Sequence, residues 1–344
     1  MEFPDPIFEV NMNHQRILVT GGTGFIGQCI VARLAAENRQ VVVATRRRGA
    51  SKVLWPLPTV EVVEADIYDS AALEKLMKGC DAVINLVGIL HGRPGRKADP
   101  KQLGDGGDPY GPDFSKAQVE LPKRIADACL SVGIKRLLHM SALGIGEGDK
   151  RSLPSMYLRS KAAGEQMIKQ TLGLEWTIFR PSVVFGEHDK FLNTFAHMQA
   201  FLPFVPLARA KARFQPVYVA DVAEAFVNAL DRHETIGKTY DLVGPQVYSL
   251  KGLVQIAGRL AGHERPVFEL PDAVGRFQAF CLEKAPGPTL MSRDNFDSMS
   301  VHNVSAEGLA PELGLQARSI HEIGPSYLSP IGDRYGEARA RAGR

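Results

Sequence analysis

Four cysteines are all the chain has, and Cys29, Cys80, Cys129 and Cys281 lie far apart with no C-x-x-C pair. That spacing argues against a disulfide framework and against a cysteine zinc site, and it fits a reduced compartment. The nine histidines form no H-E-x-x-H motif and no cluster, so no metal is expected. Nowhere do about eighteen apolar residues follow one another, the length that a helix needs to cross a bilayer. Residues 1–11 carry Glu2, Asp5 and Glu9 and lack the basic start and apolar centre of a secretory or transit signal. Neither charge sign dominates: 41 Lys and Arg stand against 38 Asp and Glu, a net +3. Nor does an aromatic and basic stripe suggest nucleic acid, and none is expected as a partner. The reading is a soluble cytoplasmic globular protein.

What is present begins at Thr20-Gly21-Gly22-Thr23-Gly24-Phe25-Ile26-Gly27. The run follows an apolar strand signal, Arg16-Ile17-Leu18-Val19, and leads into a helical segment from Gln28. Strand, glycine turn and helix in that order are the context a dinucleotide fingerprint requires. One glycine permits the turn, the next lets backbone N–H groups approach a pyrophosphate, and Gly27 lets helix and strand pack closely. Gly21, Thr23, Gly24, Phe25, Ile26 and Gly27 are the expected pyrophosphate contacts.

The second strand, Gln40–Thr45, ends in Arg46-Arg47-Arg48 where a dinucleotide fold usually has an acidic residue for the ribose 2′-hydroxyl. A guanidinium there suits a 2′-phosphate, so NADP(H) is expected in preference to NAD(H); the alternative is a solvated basic turn. A third strand signal, Val60–Ala65, ends at Asp66, whose carboxylate can accept from the adenine amino group or cap the helix that starts near Ser70.

Strand signals at 17–19, 41–43, 60–63, 82–87 and 136–140 alternate with helical signals at 28–36, 71–78 and 116–131. Such alternation predicts an α/β fold of Rossmann type: a doubly wound parallel sheet whose ligands sit at the carboxyl ends of the strands. The Gly21 turn, Arg46, Asp66, Val87-Gly88 and Ser141 all fall at those ends. Residues 91–114, rich in Gly, Pro, Asp and Lys, read as a surface loop, a lid or a tolerated insertion. A sixth strand at 176–179 is followed by weaker signals: a proline-broken apolar stretch, Phe201–Leu207, short strands at 217–219 and 239–243 flanking a helix from Asp221 to Leu230, and helices near 250–261 and 272–282. The expected organisation is an N-terminal extension at 1–13 and a nucleotide-binding domain at 14–185, to which 214–245 returns. A smaller C-terminal substrate lobe follows, formed by 186–213 and 246–330, with a disordered tail at 331–344 and a second candidate start at Met12.

Tyr157 and Lys161 lie one helical turn apart on one face. Free tyrosine deprotonates near a pKa of about 10, so action near neutrality needs a shift of roughly three units, or about 4 kcal/mol. A neighbouring ammonium and a cationic nicotinamide favour the phenolate. The lysine can also hold the ribose hydroxyls. Tyr157, Lys161 and Ser141 are therefore the candidate catalytic residues.

With Thr20–Gly27, Asp66, Val87-Gly88, Ser141, Tyr157/Lys161 and Phe179-Arg180-Pro181-Ser182-Val183-Val184-Phe185-Gly186 on the page, the chain resembles the extended or atypical short-chain dehydrogenase/reductase superfamily. The resemblance implies that backbone at Pro181 and Val183 lies against the nicotinamide. Four strings are similar to the nucleotide-binding accessory subunit family of respiratory complex I and its bacterial relatives. They are Phe185–Asn193, Gln215–Val222, Asp241–Pro245 and Ser292-Arg293-Asp294-Asn295. That likeness implies an NADP(H) cofactor with a structural, assembly or redox-sensing role, and a respiratory-complex or membrane-peripheral partner at the inner membrane. The alternative is an active NADP(H)-dependent oxidoreductase, epimerase or dehydratase acting on an alcohol or ketone, such as a quinone precursor, with Tyr157 as acid/base. One departure bears on that choice: Ala142 stands where extended-branch enzymes carry a second Ser or Thr. A further reading gives Phe201–Leu207 and the Val274, Phe277, Phe280, Cys281 face a docking role, or a mere covering of the cleft.

Overall fold

The computed structural model describes residues 14–93, 109–146, 152–287 and 289–329. The expected N-terminal extension, Met12, most of the 91–114 loop and the tail lie outside them. Six strands, β1 (Arg16–Thr20), β2 (Gln40–Thr45), β3 (Val60–Glu64), β4 (Ala82–Asn85), β5 (Arg136–Met140) and β6 (Glu175–Pro181), form the parallel sheet. Strand Lys238–Leu242 (β11 below) adds a seventh, in the order β11-β6-β5-β4-β1-β2-β3. This is the Rossmann-type doubly wound sheet.

The apolar runs are continuous because both faces are covered. Ile17, Val19, Val41, Val43 and Ile84 face helices α1 (Phe25–Ala36) and α7 (Val219–Leu230). Leu18, Val42, Val83 and Leu137 face α2 (Ser70–Met77), α4 (Leu121–Val132) and α5 (Met156–Lys169). Edge strand β3 has half-buried and exposed residues and no buried one.

Three details differ from the sequence reading. Helix α2 is capped by Asp69, whose side chain accepts from the Ala71 N–H, while Asp66 accepts from the Tyr68 N–H in a tight turn. Helix α7 starts at Val219, two residues before Asp221, because Tyr218 is still extended backbone at its N-cap. Before α4, the short α3 (Pro112–Phe114) runs into a π-helical turn over 115–120.

Three two-stranded ladders lie outside the seven-stranded sheet. Strand β7 (Val184–Phe185) pairs with β10 (Val217–Tyr218), β8 (Val205–Ala208) with β13 (Val267–Leu270), and β9 (Arg213–Phe214) with β12 (Tyr248–Ser249). Helices α6 (Leu192–Phe201), α8 (Leu250–Leu260) and α11 (Ile320–Leu328) pack around one core. Helix α9 (Asp272–Lys284) lies on β8 and is followed by α10 (Arg293–Ser298).

One buried cation secures the far end of the sheet. Arg136 is 1 % exposed, and its guanidinium donates to the carbonyls of Ala229 and Leu230 in the last turn of α7. It also donates to Thr177 and Thr235 hydroxyls. Those carbonyls carry the negative end of the helix dipole and have no intrahelical partner, so the cation satisfies both needs. Burial pulls the Arg136 pKa down to about 10, still high enough to keep it charged.

Candidate functional site

At the end of β1 the chain turns on Gly21, whose φ of +78° is a backbone state that side chains disfavour. The turn closes with Gly24 N–H donating to Gly21 O at 3.0 Å. A Cβ on Gly27 would sit 2.3 Å from that same oxygen and 2.7 Å from Gly22 Cα, so only glycine permits this approach. Helix α1 therefore begins directly above the strand end. No side chain caps it, and its first turn has no acidic residue. Its N-terminal N–H groups and positive dipole end are left open, which is what an anionic pyrophosphate needs. Thr23, Phe25 and Ile26 lie in this turn, held by Gln28 Nε2 donating to Thr23 O at 2.9 Å.

On the adjacent strand, Arg46 stands exposed at the end of β2 and pairs with no carboxylate among the described residues. Asp66 is exposed at the end of the neighbouring strand.

The other end of the crevice is built differently. Lys161 is 4 % exposed; its Nζ donates to Met140 O at 3.0 Å and lies against Gly88, where a Cβ would be 3.0 Å away. The ammonium thus sits between the ends of β4 and β5. Burial lowers its pKa to about 8, with Glu165 opposing. Tyr157, one turn earlier, packs edge-on against Phe114, and its hydroxyl makes no hydrogen bond among the described residues. Burial, then the charge of Asp294, pushes its phenol up to about 12. Val87 N–H donates to Asn85 Oδ1 at 3.2 Å, which fixes the turn that leads into Gly88.

Ser141 follows the end of β5. Its Oγ is buried without a hydrogen-bond partner and faces Glu165, to which it lends only weak support. Ala142 and Leu143 beside it are buried apolar groups. Pro181 ends β6, and Val183 follows with its N–H donated to Asn303 Oδ1 at 3.0 Å.

Beneath these groups lies a polar layer that sequence reasoning missed. Glu165 and Arg180 form a buried bidentate pair, with Nε–Oε1 at 2.8 Å and Nη2–Oε2 at 2.7 Å. Burial would raise the Glu165 carboxyl, but Arg180 and more weakly Ser141 and Lys169 hold it below its usual range. Thr20 Oγ1 donates to Asn85 Oδ1 at 2.9 Å, and Asn85 Nδ2 donates to His139 Nδ1 at 3.1 Å. Buried His139 stays neutral, its pKa pulled to about 3 by burial and by nearby Lys161. Gln118, in the π-helical turn, donates to Ile89 O at 2.7 Å and accepts from Ser160. That turn is set by Gly164 of α5, where a Cβ would meet Gln118 O at 2.1 Å.

The lobe closes over this end. Both oxygens of Asp294 accept N–H groups from the first turn of α5, Met156 at 2.7 Å and Tyr157 at 3.0 Å. Asn303 accepts from Ser182 Oγ at 2.6 Å and donates to Leu143 O at 3.3 Å.

A parallel sheet with an open helix N-terminus over its first strand and a Tyr/Lys helix at its fourth and fifth defines a class. Residues 17–243 match the family model for the NAD dependent epimerase/dehydratase family, and the chain belongs to that family. Over 306 residues it is 33 % identical to the mitochondrial NADH dehydrogenase (ubiquinone) 1 alpha subcomplex subunit 9 of Mus musculus, covering 87 % of this chain and 75 % of that one. Ceramide reductase of Caulobacter vibrioides is 25 % identical over 259 residues, 74 % of each chain. Among solved structures, the dTDP-glucose 4,6-dehydratase of Streptomyces venezuelae, with NAD bound, superimposes with a TM-score of 0.67 at 20 % identity, covering 91 % of this chain and 95 % of that one.

Proposed function

We propose that this chain holds a nicotinamide dinucleotide, NADP(H) in preference to NAD(H), as a resident cofactor, and that it works docked on a respiratory complex at the membrane surface. The carrying observation is the juxtaposition along one sheet edge of an uncapped α1 N-terminus, which glycine alone allows so close to the strand, and the Lys161 ammonium. Backbone N–H groups from Gly21 to Gly27 take the pyrophosphate, and Lys161 takes the nicotinamide ribose hydroxyls. Arg46 takes the 2′-phosphate, which its exposed, unpaired guanidinium supports. Asp66 takes the adenine amino group, Val87 and Gly88 lie along the dinucleotide, and backbone at Pro181 and Val183 borders the ring. When bound, such a cofactor supplies a ring that gives or accepts hydride.

Two features favour a resident cofactor over rapid turnover. Burial and the Asp294 charge push the Tyr157 phenol up, away from the phenolate, and the buried Ser141 Oγ has no hydrogen-bond partner while it lowers the Glu165 carboxyl. The oxidoreductase reading keeps support from the intact Tyr157/Lys161 pair and from the likeness to a ceramide reductase, named for a lipid substrate. Docking is supported by the relatives' identity as respiratory-complex subunits and by an apolar face on the lobe. Helix α9 packs inward through the small residues Gly275 and Ala279, while Phe277 is 67 % exposed beside Val274 and Phe280. Large apolar groups outside and small ones inside is the reverse of a solvated helix.

Mass analysis of nucleotide released from protein purified from native membranes tests the cofactor, and the respiratory complex co-purifies if the docking reading holds. Arg46→Asp is expected to weaken NADPH binding by roughly ten- to a hundredfold, the worth of a charge-assisted pair, and NADH binding far less. Equal losses for both would remove the 2′-phosphate assignment.

A further inference from the structure

Helix α5 carries both Tyr157 and Lys161, yet it does not complete its own first turn. Ser155 caps it locally by accepting from the Leu158 N–H. The Met156 and Tyr157 N–H groups, which an isolated helix leaves without partners, donate instead to the two oxygens of Asp294. That carboxylate belongs to the other lobe. It also brings a negative charge to the positive end of a 14-residue helix.

Asp294 is itself held rigidly. Ser292 and Asn295 form a reciprocal capping box around it, and Phe296 is buried with Ala208 and Ala279. Arg293 pairs with Glu283 of α9 at 3.0 Å. On the cleft side, Asn295 Nδ2 donates to Leu90 O at 3.3 Å, and Ser298 Oγ donates to Ser155 Oγ at 2.8 Å. Helix α10 therefore grips both the loop after β4 and the start of α5.

We propose that Asp294 is the positioning residue through which the C-terminal lobe holds Tyr157 at the nicotinamide end of the cleft. This rests on the reading of the cleft as a dinucleotide site. Without Asp294 the first turn of α5 frays, Tyr157 leaves its place against Phe114, and Lys161 one turn on is loosened. The glycine turn, in another part of the sheet, is untouched. Asp294 thus supports the nicotinamide half of the ligand and leaves the adenosine half alone.

The test measures the binding of NADPH and of 2′,5′-ADP, which lacks the nicotinamide half, to the full chain. Losing a helix cap of this kind corresponds to about a tenfold loss of NADPH affinity in Asp294→Ala. The affinity for 2′,5′-ADP is expected to stay within about twofold, since the two sites share no partners. Asp294→Asn, which keeps one acceptor oxygen, recovers part of the loss. In a Tyr157→Phe background, Asp294→Ala costs less than it does alone. Amide exchange at Met156 and Tyr157 speeds up in Asp294→Ala, while β5 and β6 keep their protection. Equal losses for both ligands would mean a purely structural role and overturn the proposal, as would no loss for either. A wild-type chain that binds neither ligand would overturn the underlying dinucleotide reading, a failure distinct from the others because it appears without any substitution.

Discussion

The two ends of the crevice are made by opposite strategies. At the phosphate end, the main devices lie within one strand, one turn and one helix, with β2 and the segment after β4 packed against the turn: Gly21 turns the chain, Gly24 leaves the helix uncapped, and Gly27 lets α1 approach. At the nicotinamide end, α5 is capped from the other lobe. Asn303 ties the segments after β5 and β6 together, and Gln118 reaches α5 from a distorted helix. One end is a local backbone device that presents N–H groups. The other is an assembly of side chains from distant segments, and its rigidity depends on all of them. A local device can be kept while an assembled one drifts, so nucleotide binding and nucleotide chemistry are separable properties in this architecture.

The sharpest way to break this comparison is Glu165→Ala. It would remove the bidentate carboxylate from buried Arg180, for which about 3–5 kcal/mol of unfolding free energy is the expected loss. Chemical denaturation measures it, and a loss below about 1 kcal/mol would show that the polar layer does not hold the nicotinamide end together. Gly27→Ala comes next. Its methyl group would clash with Gly21 O, with an expected cost near about 3 kcal/mol and loss of measurable NADPH binding. The circular dichroism spectrum is expected to persist, since the clash is confined to one turn. Binding that survived would contradict the local account of the phosphate end.

The smallest effect is a pH dependence. His139 is neutral in the folded chain, with its pKa near 3 against an ordinary 6.5. The unfolded chain binds a proton there first, so stability is lost as pH falls through about 6.5, and the contribution reaches roughly 2 kcal/mol by about pH 5. His139→Asn is expected to flatten the fall of melting temperature over that window. An unchanged slope would assign the acid sensitivity to other groups.

How much of this was legible in the sequence follows the same division. The glycine turn, the alternation of strands and helices and the order of strand ends were readable because each depends on neighbours in the chain. Tyr157 and Lys161 were readable as a pair because they share one helical turn. Asp294 was visible only as part of a string, Ser292–Asn295, because its partners stand 137 and 138 residues away. Gln118 gave no signal at all, since the π-helical turn that aims it is imposed by the packing of Gly164. Ser141 was readable at a strand end, but the buried Glu165/Arg180 pair near it was not, since no local pattern announces a pair 15 residues apart on different elements. Asp66 and Asp69 are equally good caps by residue type, and only the start of α2 chose between them.

The cap on α5 has a consequence for how the protein is made. A ribosome delivers the chain from its N-terminus, so β1, the glycine turn and α1 emerge together and can take their final form early. Tyr157 and Lys161 emerge later, and the carboxylate that completes their helix follows only 137 residues after Tyr157. The turn at the phosphate end can thus form in a nascent chain, whereas the nicotinamide end is finished only when the segment around Asp294 folds back onto α5. On the reading proposed above, a chain cut short before residue 294 is expected to grip a nucleotide by its phosphates without setting its ring.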